Sequence, residues 1–237
     1  MPQFLEGLNM DQTTLLVGVV ALVLVIIISI AAAVLHHKTK QALKREAEYK
    51  KITLQCISAV VNSIDSRDQY NKNHSLRVAE YSVEIARRMG FTDLENLYYI
   101  ALLHDIGKIA ISDDILKRAG RLSPDEYQLM KQHTELGRKM LSGITAIPDI
   151  TSGAKYHHEH YDGTGYNEGL RGNAIPLIGR IIGVADALDA MTSARSYRRG
   201  LNRAEAINEL KRCSGTQFDP EIAKIMIDML NDGFTVA

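Results

Sequence analysis

The chain has 237 residues with 28 basic and 28 acidic side chains, so its formal charge is zero. Hydrophobic residues make up 46% and charged residues 24%, the balance of a globular protein, which excludes a disordered chain. Neutrality also argues against DNA or RNA binding through a broad basic surface, and the length suits one sizeable domain plus an appendage.

The appendage comes first. From Leu15 to Leu35 the chain reads LLVGVVALVLVIIISIAAAVL, uncharged and with Ser29 as its polar residue. As a helix this stretch would be about 31 Å long at 1.5 Å per residue, against a hydrocarbon core of about 30 Å. A single transmembrane helix is expected over 15–35. A cleaved signal peptide would need a basic leading region, whereas the preceding residues carry Glu6 and Asp11 and no Lys or Arg. Lys38, Lys40, Lys44, Arg45, Lys50 and Lys51 follow the span, and basic flanks stay in the cytoplasm. Residues 1–14 are therefore expected outside, a helical linker over 36–51, and a cytoplasmic domain over 52–237. His36 and His37 read as interfacial residues. The outward segment is too short to be a sensor, so the anchor is expected to position the domain or help it form a homodimer.

The domain carries helical periodicity and no run of strand alternation, so an all-α fold is expected. Ser123-Pro124-Asp125-Glu126 has the form of a capping box with proline at the first helical position, and Asn202 with Glu205 repeats it. Asp219-Pro220 opens the last helix. Gly90 is expected to end a helix that starts near Asn71. Cys56 and Cys213 lack metal-type spacing and read as reduced thiols inside the fold.

Helical spacing puts His74 on one face with Val78, Tyr81 and Ile85, and His104 with Leu97 and Ile100. His133 falls with Leu129, Leu136 and Met140, His157 with Ile150 and Ala154, and Asp186 with Ile178 and Ile182. His158 is adjacent to His157. A single histidine on an apolar face is ordinarily a core residue satisfied by hydrogen bonds. Several histidines and aspartates aimed into one core would be costly without compensation, and metal ions satisfy them together. Imidazole and carboxylate donors favour Fe, Mn, Zn or Ni over Mg.

The stretches NHSLRVAEY (73–81), LLHDIGKI (102–109), HHEHYDGTGYNEGLRG (157–172) and IPLIGRIIGVADALDAMTSARSYR (175–198) together resemble the HD-GYP family, bacterial cyclic di-GMP phosphodiesterases of the HD phosphohydrolase superfamily. The resemblance runs from about Ile52 to Leu230. It implies a helical HD-type metallohydrolase domain with His74, His104, Asp105, His133, His157, His158 and Asp186 as metal ligands. Asp105 would bridge two divalent transition-metal ions, Fe or Mn first and Zn or Ni as alternatives. His74, His104 and Asp186 would complete one centre, and His133, His157 and His158 the other. Some family members hold a third metal through a glutamate where this chain has Tyr70, so a dinuclear site is expected.

The implied activity is hydrolysis of cyclic di-GMP to pGpG, with onward cleavage to GMP left open, by metal-activated hydroxide attacking phosphorus. Asp105 and Lys108 are the implied catalytic residues. Lys108, Arg195, Arg198, Gly165 and Tyr166 are the implied substrate contacts. Where the family loop usually ends in proline this chain has Asn167, which tolerates turn geometry without locking it. That weakens the expectation that a diguanylate cyclase (GGDEF) partner docks there. Alternatives are an HD hydrolase of another cyclic dinucleotide and a non-catalytic, membrane-tethered cyclic di-GMP receptor or scaffold. The implied location is the bacterial inner membrane, single-pass.

Overall fold

The computed structural model describes residues 12–67, 73–118, 120–194 and 199–236. Tyr70, Arg195 and Arg198 lie outside the described residues. The chain divides into two units, Met1–Gln55 and Cys56–Ala237.

The last turns of helix α1 (Gln12–Asp65) belong to the second unit, and the first holds the rest of that helix, including the apolar stretch. Its large side chains project outward: Leu16 is 64% exposed and Leu35 is 66% exposed. A helix this long and apolar is a candidate membrane span.

The second unit is built from helices alone among the described residues, apart from one isolated bridge between Ser214 and Phe218. The last turns of α1 lead to α2 (His74–Arg88) and α3 (Leu94–Leu102). A 3₁₀ turn (Ile106–Ala110) and the short α4 (Asp113–Leu116) precede α5 (Pro124–Leu141) and α6 (Ile150–Tyr156). After a long loop come α7 (Leu177–Thr192), α8 (Arg203–Cys213) and α9 (Pro220–Asn231). Helix α2 packs on α3 and α7, α6 packs on α3, α5 and α7, and the 3₁₀ turn lies against α5. Between them Val78, Ile85, Leu97, Ile100, Ile182 and Leu188 form a core from which water is excluded.

The expected punctuation is present. Ser123 accepts from the Glu126 amide while the Glu126 carboxylate accepts from the Ser123 amide, and Asn202 with Glu205 does the same. Gly90 follows α2 at φ 76°, and the Phe91 amide donates to the Ala86 carbonyl, so the helix stops in a left-handed cap.

Helix α2 begins at His74, after Asn73 in a left-handed conformation (φ 59°), and Asn71 lies outside the described residues. Two expectations need correction here. The α5 face that turns inward is His133, Thr134, Gly137 and Leu141, whereas Leu129 and Met140 are 46% and 44% exposed. Only a narrow stripe of α5 is covered, since the 3₁₀ turn approaches it closely at Gly137. Cys213 is buried as expected, but Cys56 is an exposed thiol on α1.

That close approach depends on Gly107. A Cβ there would overlap the His133 carbonyl and stand 2.6 Å from the Gly137 amide nitrogen. Both neighbours are backbone, so neither can swing away. Gly107→Ala should therefore destabilise the fold by about 1–3 kcal/mol or more, read as a lower urea midpoint. An unchanged midpoint would show that the turn can retreat from α5 without loss.

Candidate metal centre

Most of the inward polar side chains are delivered where a helix begins or ends, and His133 and Asp186 from within helices. His74 is the first residue of α2, whose N-terminus has no cap from Asn73. Asp65, at the end of α1, supplies it: its carboxylate accepts from the Ser75 amide at 3.1 Å and the Ser75 hydroxyl at 2.9 Å. His104 and Asp105 lie just past the end of α3, in the turn that opens the 3₁₀ segment, and not on a helical face as expected. Arg67 fixes that turn, donating to the carbonyls of Lys108, Ile109 and Ile111 and to the Asp113 carboxylate. His133 comes from mid-α5, His157 caps the C-terminus of α6, and Asp186 comes from α7.

These side chains converge around one carboxylate. Asp105 is 4% exposed, and its two oxygens look in different directions. Oδ2 lies 3.4 Å from His104 Nε2 and 3.7 Å from His74 Nε2, and His74 Nε2 lies 3.3 Å from Asp186 Oδ1. Oδ1 lies 3.3 Å from His133 Nε2 and 3.8 Å from His157 Nε2. His158 is beside them, its ring centroid 4.1 Å from that of His157 and 5.2 Å from that of His133. Three groups that could hold a cation result: His74, His104 and Asp186 on one side, His133, His157 and His158 on the other, and His104, Asp105 and His157 straddling them.

Second contacts set the tautomers. The Nδ1 atoms of His104, His133 and His157 lie 2.7, 2.7 and 2.8 Å from the carbonyls of Ala101, Met130 and Gly153. A carbonyl only accepts, so each Nδ1 carries a hydrogen and each Nε2 is turned toward Asp105. His74 Nδ1 lies 2.7 Å from Asp189 Oδ2, and Arg77 Nε holds the other Asp189 oxygen at 2.5 Å. Sequence reading missed Asp189 and Arg77. The available signal was spacing: Asp189 stands one helical turn after Asp186 on α7.

The buried atoms His104 Nε2 and Asp105 Oδ1 have no hydrogen-bond partner. Unsatisfied buried polar atoms are expensive, and a divalent cation would satisfy both. Together with imidazole and carboxylate donors in two sets, this makes the residues fit a pair of divalent metals of the borderline class.

Electrostatics separate the two sets. Burial pushes the His133 and His157 imidazoles below their ordinary range, and His158 falls to about 3. Burial would also lower His74, but hydrogen bonds with Asp105, Asp186 and Asp189 outweigh it and hold His74 well above the usual value. Burial would raise Asp105, yet the Lys108 ammonium and the His104 and His74 imidazoles keep it ionised. Lys108 Nζ stands 2.5 Å from Asp105 Oδ2, inside the site.

Of the other expected substrate residues, Tyr166 and Gly165 flank this centre, while Arg195 and Arg198 lie outside the described residues. The Tyr166 ring lies 4.8 Å from His158 at an interplanar angle of 31°, and Tyr127 meets Tyr166 edge-on at 6.3 Å. Lys131 Nζ sits 5.3 and 5.6 Å from those two tyrosine rings. Gly165 is packed against backbone, where a Cβ would stand 2.5 Å from the His158 carbonyl oxygen. Asn167 does not leave its loop unlocked. Its amide and that of Glu168 donate to Glu159 Oε1 at 2.9 and 2.7 Å, and its side chain makes two further bonds. A cavity of about 450 Å³ opens beside His157, His158 and Asp186, lined also by Arg180, Gln217 and Asp219.

The HD-domain family model matches residues 58–222, most of the chain. The chain belongs to the HD-domain family. A cyclic di-GMP phosphodiesterase of Thermotoga maritima is 36% identical over 187 residues, which cover 77% of this chain and 50% of the relative. A 3'3'-cGAMP-specific phosphodiesterase of Vibrio cholerae is 34% identical over 188 residues, covering 77% of this chain and 41% of the relative. The solved structure of a cyclic GMP-AMP specific phosphodiesterase of V. cholerae shares the fold, with a TM-score of 0.58 at 18% identity over 75% of this chain and 48% of that one. This HD domain with its N-terminal helix thus spans half or less of the curated relatives it resembles.

The imidazole shifts give the metal-free HD domain a pH dependence of known sign. His133, His157 and His158 titrate lower in the folded state, so the unfolded chain binds more protons. Their contribution is complete above the unfolded value of 6.5 and is lost as pH falls toward about 3 for His158. His74 acts oppositely, adding stability below 6.5 that fades as pH rises through its elevated value. With three groups against one, the urea midpoint of metal-free protein should drop between pH 7.5 and pH 5. A midpoint that rises across this interval would show that His74 dominates.

Proposed function

We propose that the chain is a metal-dependent phosphodiesterase that hydrolyses cyclic di-GMP to pGpG. One observation carries the reading: Asp105 presents one oxygen to His74 and His104 and the other to His133 and His157. That is the geometry of a carboxylate bridging two cations. His74, His104, Asp105 and Asp186 would hold one ion and Asp105, His133, His157 and His158 the other, with Fe or Mn as the ions. When bound, such a pair supplies Lewis acidity at phosphorus and activates water near neutral pH.

The protein's own part is positioning and charge. Lys108 extends to the Asp105 carboxylate and so to the place where a phosphate would lie, where an ammonium stabilises negative charge and can assist the leaving oxygen. The cavity beside His157, His158 and Asp186 is of a size that takes part of a nucleotide. Tyr166 flanks His158 and offers a face to the substrate, and Arg195 and Arg198 supply forked donors to its phosphates or bases. Helix α1 holds the domain on the cytoplasmic face of the membrane, with residues 1–14 outside, the orientation its basic flank supports. A homodimer through the anchor and contact with a diguanylate cyclase belong to the same reading.

A second substrate is favoured by a specific finding, since relatives named for 3'3'-cGAMP stand beside those named for cyclic di-GMP. The metal centre engages phosphate and does not separate them. Purified protein loaded with Mn²⁺ or Fe²⁺ should therefore be assayed with cyclic di-GMP, 3'3'-cGAMP and cyclic di-AMP in competition. Preferred turnover of cyclic di-GMP supports the proposal, preferred turnover of 3'3'-cGAMP replaces the substrate, and binding without turnover of any replaces the enzyme with a receptor.

Asp105→Ala should lose both metals and reduce turnover to background, checked by metal analysis alongside product formation. Lys108→Ala should keep its metals and lower kcat by about 10²–10³-fold, the usual cost of removing one electrostatic stabiliser.

A further inference from the structure

Asn167 is tied to the neighbours of all three histidines of one half of the centre. Its Oδ1 accepts from the Thr134 hydroxyl at 2.7 Å, and Thr134 directly follows His133. Its Nδ2 donates to the Lys155 carbonyl at 2.6 Å, two residues before His157. Its backbone amide donates to Glu159 Oε1 at 2.9 Å, and Glu159 directly follows His158. The amide orientation is not arbitrary: the Lys155 carbonyl can only accept, so Nδ2 must face it and Oδ1 must face Thr134. Glu159 is buried and also accepts from the amides of Glu168 and Leu170, so it is itself held in place. The Tyr166 amide donates to the His158 carbonyl at 3.2 Å, closing the loop on the same ligand.

We infer that Asn167 is a positioning residue for the His133–His157–His158 set, joining α5, α6 and the loop that follows His158 into one rigid holder for a divalent cation. The inference rests on the metal-centre reading above. It differs from a loop stiffened by proline. A proline at this position has no N–H to give Glu159 and no side-chain amide to bridge Thr134 and Lys155, so here the holder is built from three hydrogen bonds. None of the three touches His74, His104 or Asp186, so the effect of losing them falls on one half of the centre.

The test uses the full chain in detergent, stripped of metal and titrated with Co²⁺, with calorimetry for affinity and visible absorption for histidine coordination. Wild type should show two sites. Asn167→Ala should weaken one of them by about 10–100-fold, the range for groups that orient a metal-binding side chain, and alter the cobalt spectrum of that site. The other site should be unchanged, which also reports that the domain is folded. Thr134→Val should weaken the same site, and the double variant should be little worse than Asn167→Ala alone, because the two share a bond. Asn167→Pro should weaken it too and speed exchange of the Glu168 and Leu170 amides. Equal affinity and spectrum in wild type and Asn167→Ala overturn the inference, as does equal weakening of both sites. A wild-type chain that takes up no Co²⁺ overturns the metal-centre reading instead, and this inference with it.

Discussion

A desolvated carboxylate must find charge or hydrogen bonds, and Asp105 is almost fully removed from water with one oxygen lacking any hydrogen-bond partner. The Lys108 ammonium on Oδ2 meets part of that need. The His133 and His157 imidazoles on Oδ1, pushed down by burial, present lone pairs that repel the carboxylate unless a cation lies between, whereas hydrogen bonds with Asp105, Asp186 and Asp189 hold His74 upward. Side chains from α2, the turn after α3, α5, α6 and α7 are held in this arrangement. The rest of the domain follows from the requirement to keep them there without collapse.

Helix ends are the device that meets it. A histidine at a helix C-terminus finds free carbonyls one turn back, and these fix Nδ1 and turn Nε2 toward the site, as His104 and His157 do with Ala101 and Gly153. His133, within α5, uses Met130 in the same way. His74 begins its helix and has no such carbonyl, so a carboxylate, Asp189, takes the role, and hydrogen bonds from His74 and Arg77 hold that carboxylate below its usual range against the effect of burial. Asp105, Asp186 and Asp189 together push His74 upward while burial drives His133, His157 and His158 down.

The sequence announced the inward direction of these imidazoles and carboxylates because helical spacing relates His74 to Val78 and Ile85, and Asp186 to Ile182. It announced the caps for the same local reason. His104 defeated the reading: the apolar spacing from Leu97 continues past the true end of α3, and nothing local marks where the helix gives way to the 3₁₀ turn. Leu129 and Met140 misled because only a tertiary fact, the close approach at Gly107, decides how wide a stripe of α5 is covered. Asn167 was read by comparison with proline as a loss of stiffness. Its bonds to Thr134 and Lys155 join segments far apart in the chain, and long-range hydrogen bonding leaves no periodic trace.

The same logic bears on the end of α1. Asp65 caps α2 beside His74, and Arg67 holds the carbonyls of Lys108, Ile109 and Ile111. These contacts reach the two places where the site has least redundancy, a helix start without its own cap and a turn too tight for any residue but glycine at 107. Val78, Ile85 and Leu97 take no part in either set of contacts. The Nε2 of His74 and the carboxylate of Asp105 lie next to them in the chain and would be free to shift if they were lost. Support for the centre is therefore concentrated in polar contacts at helix ends, and stability of the core and integrity of the site can be lost independently.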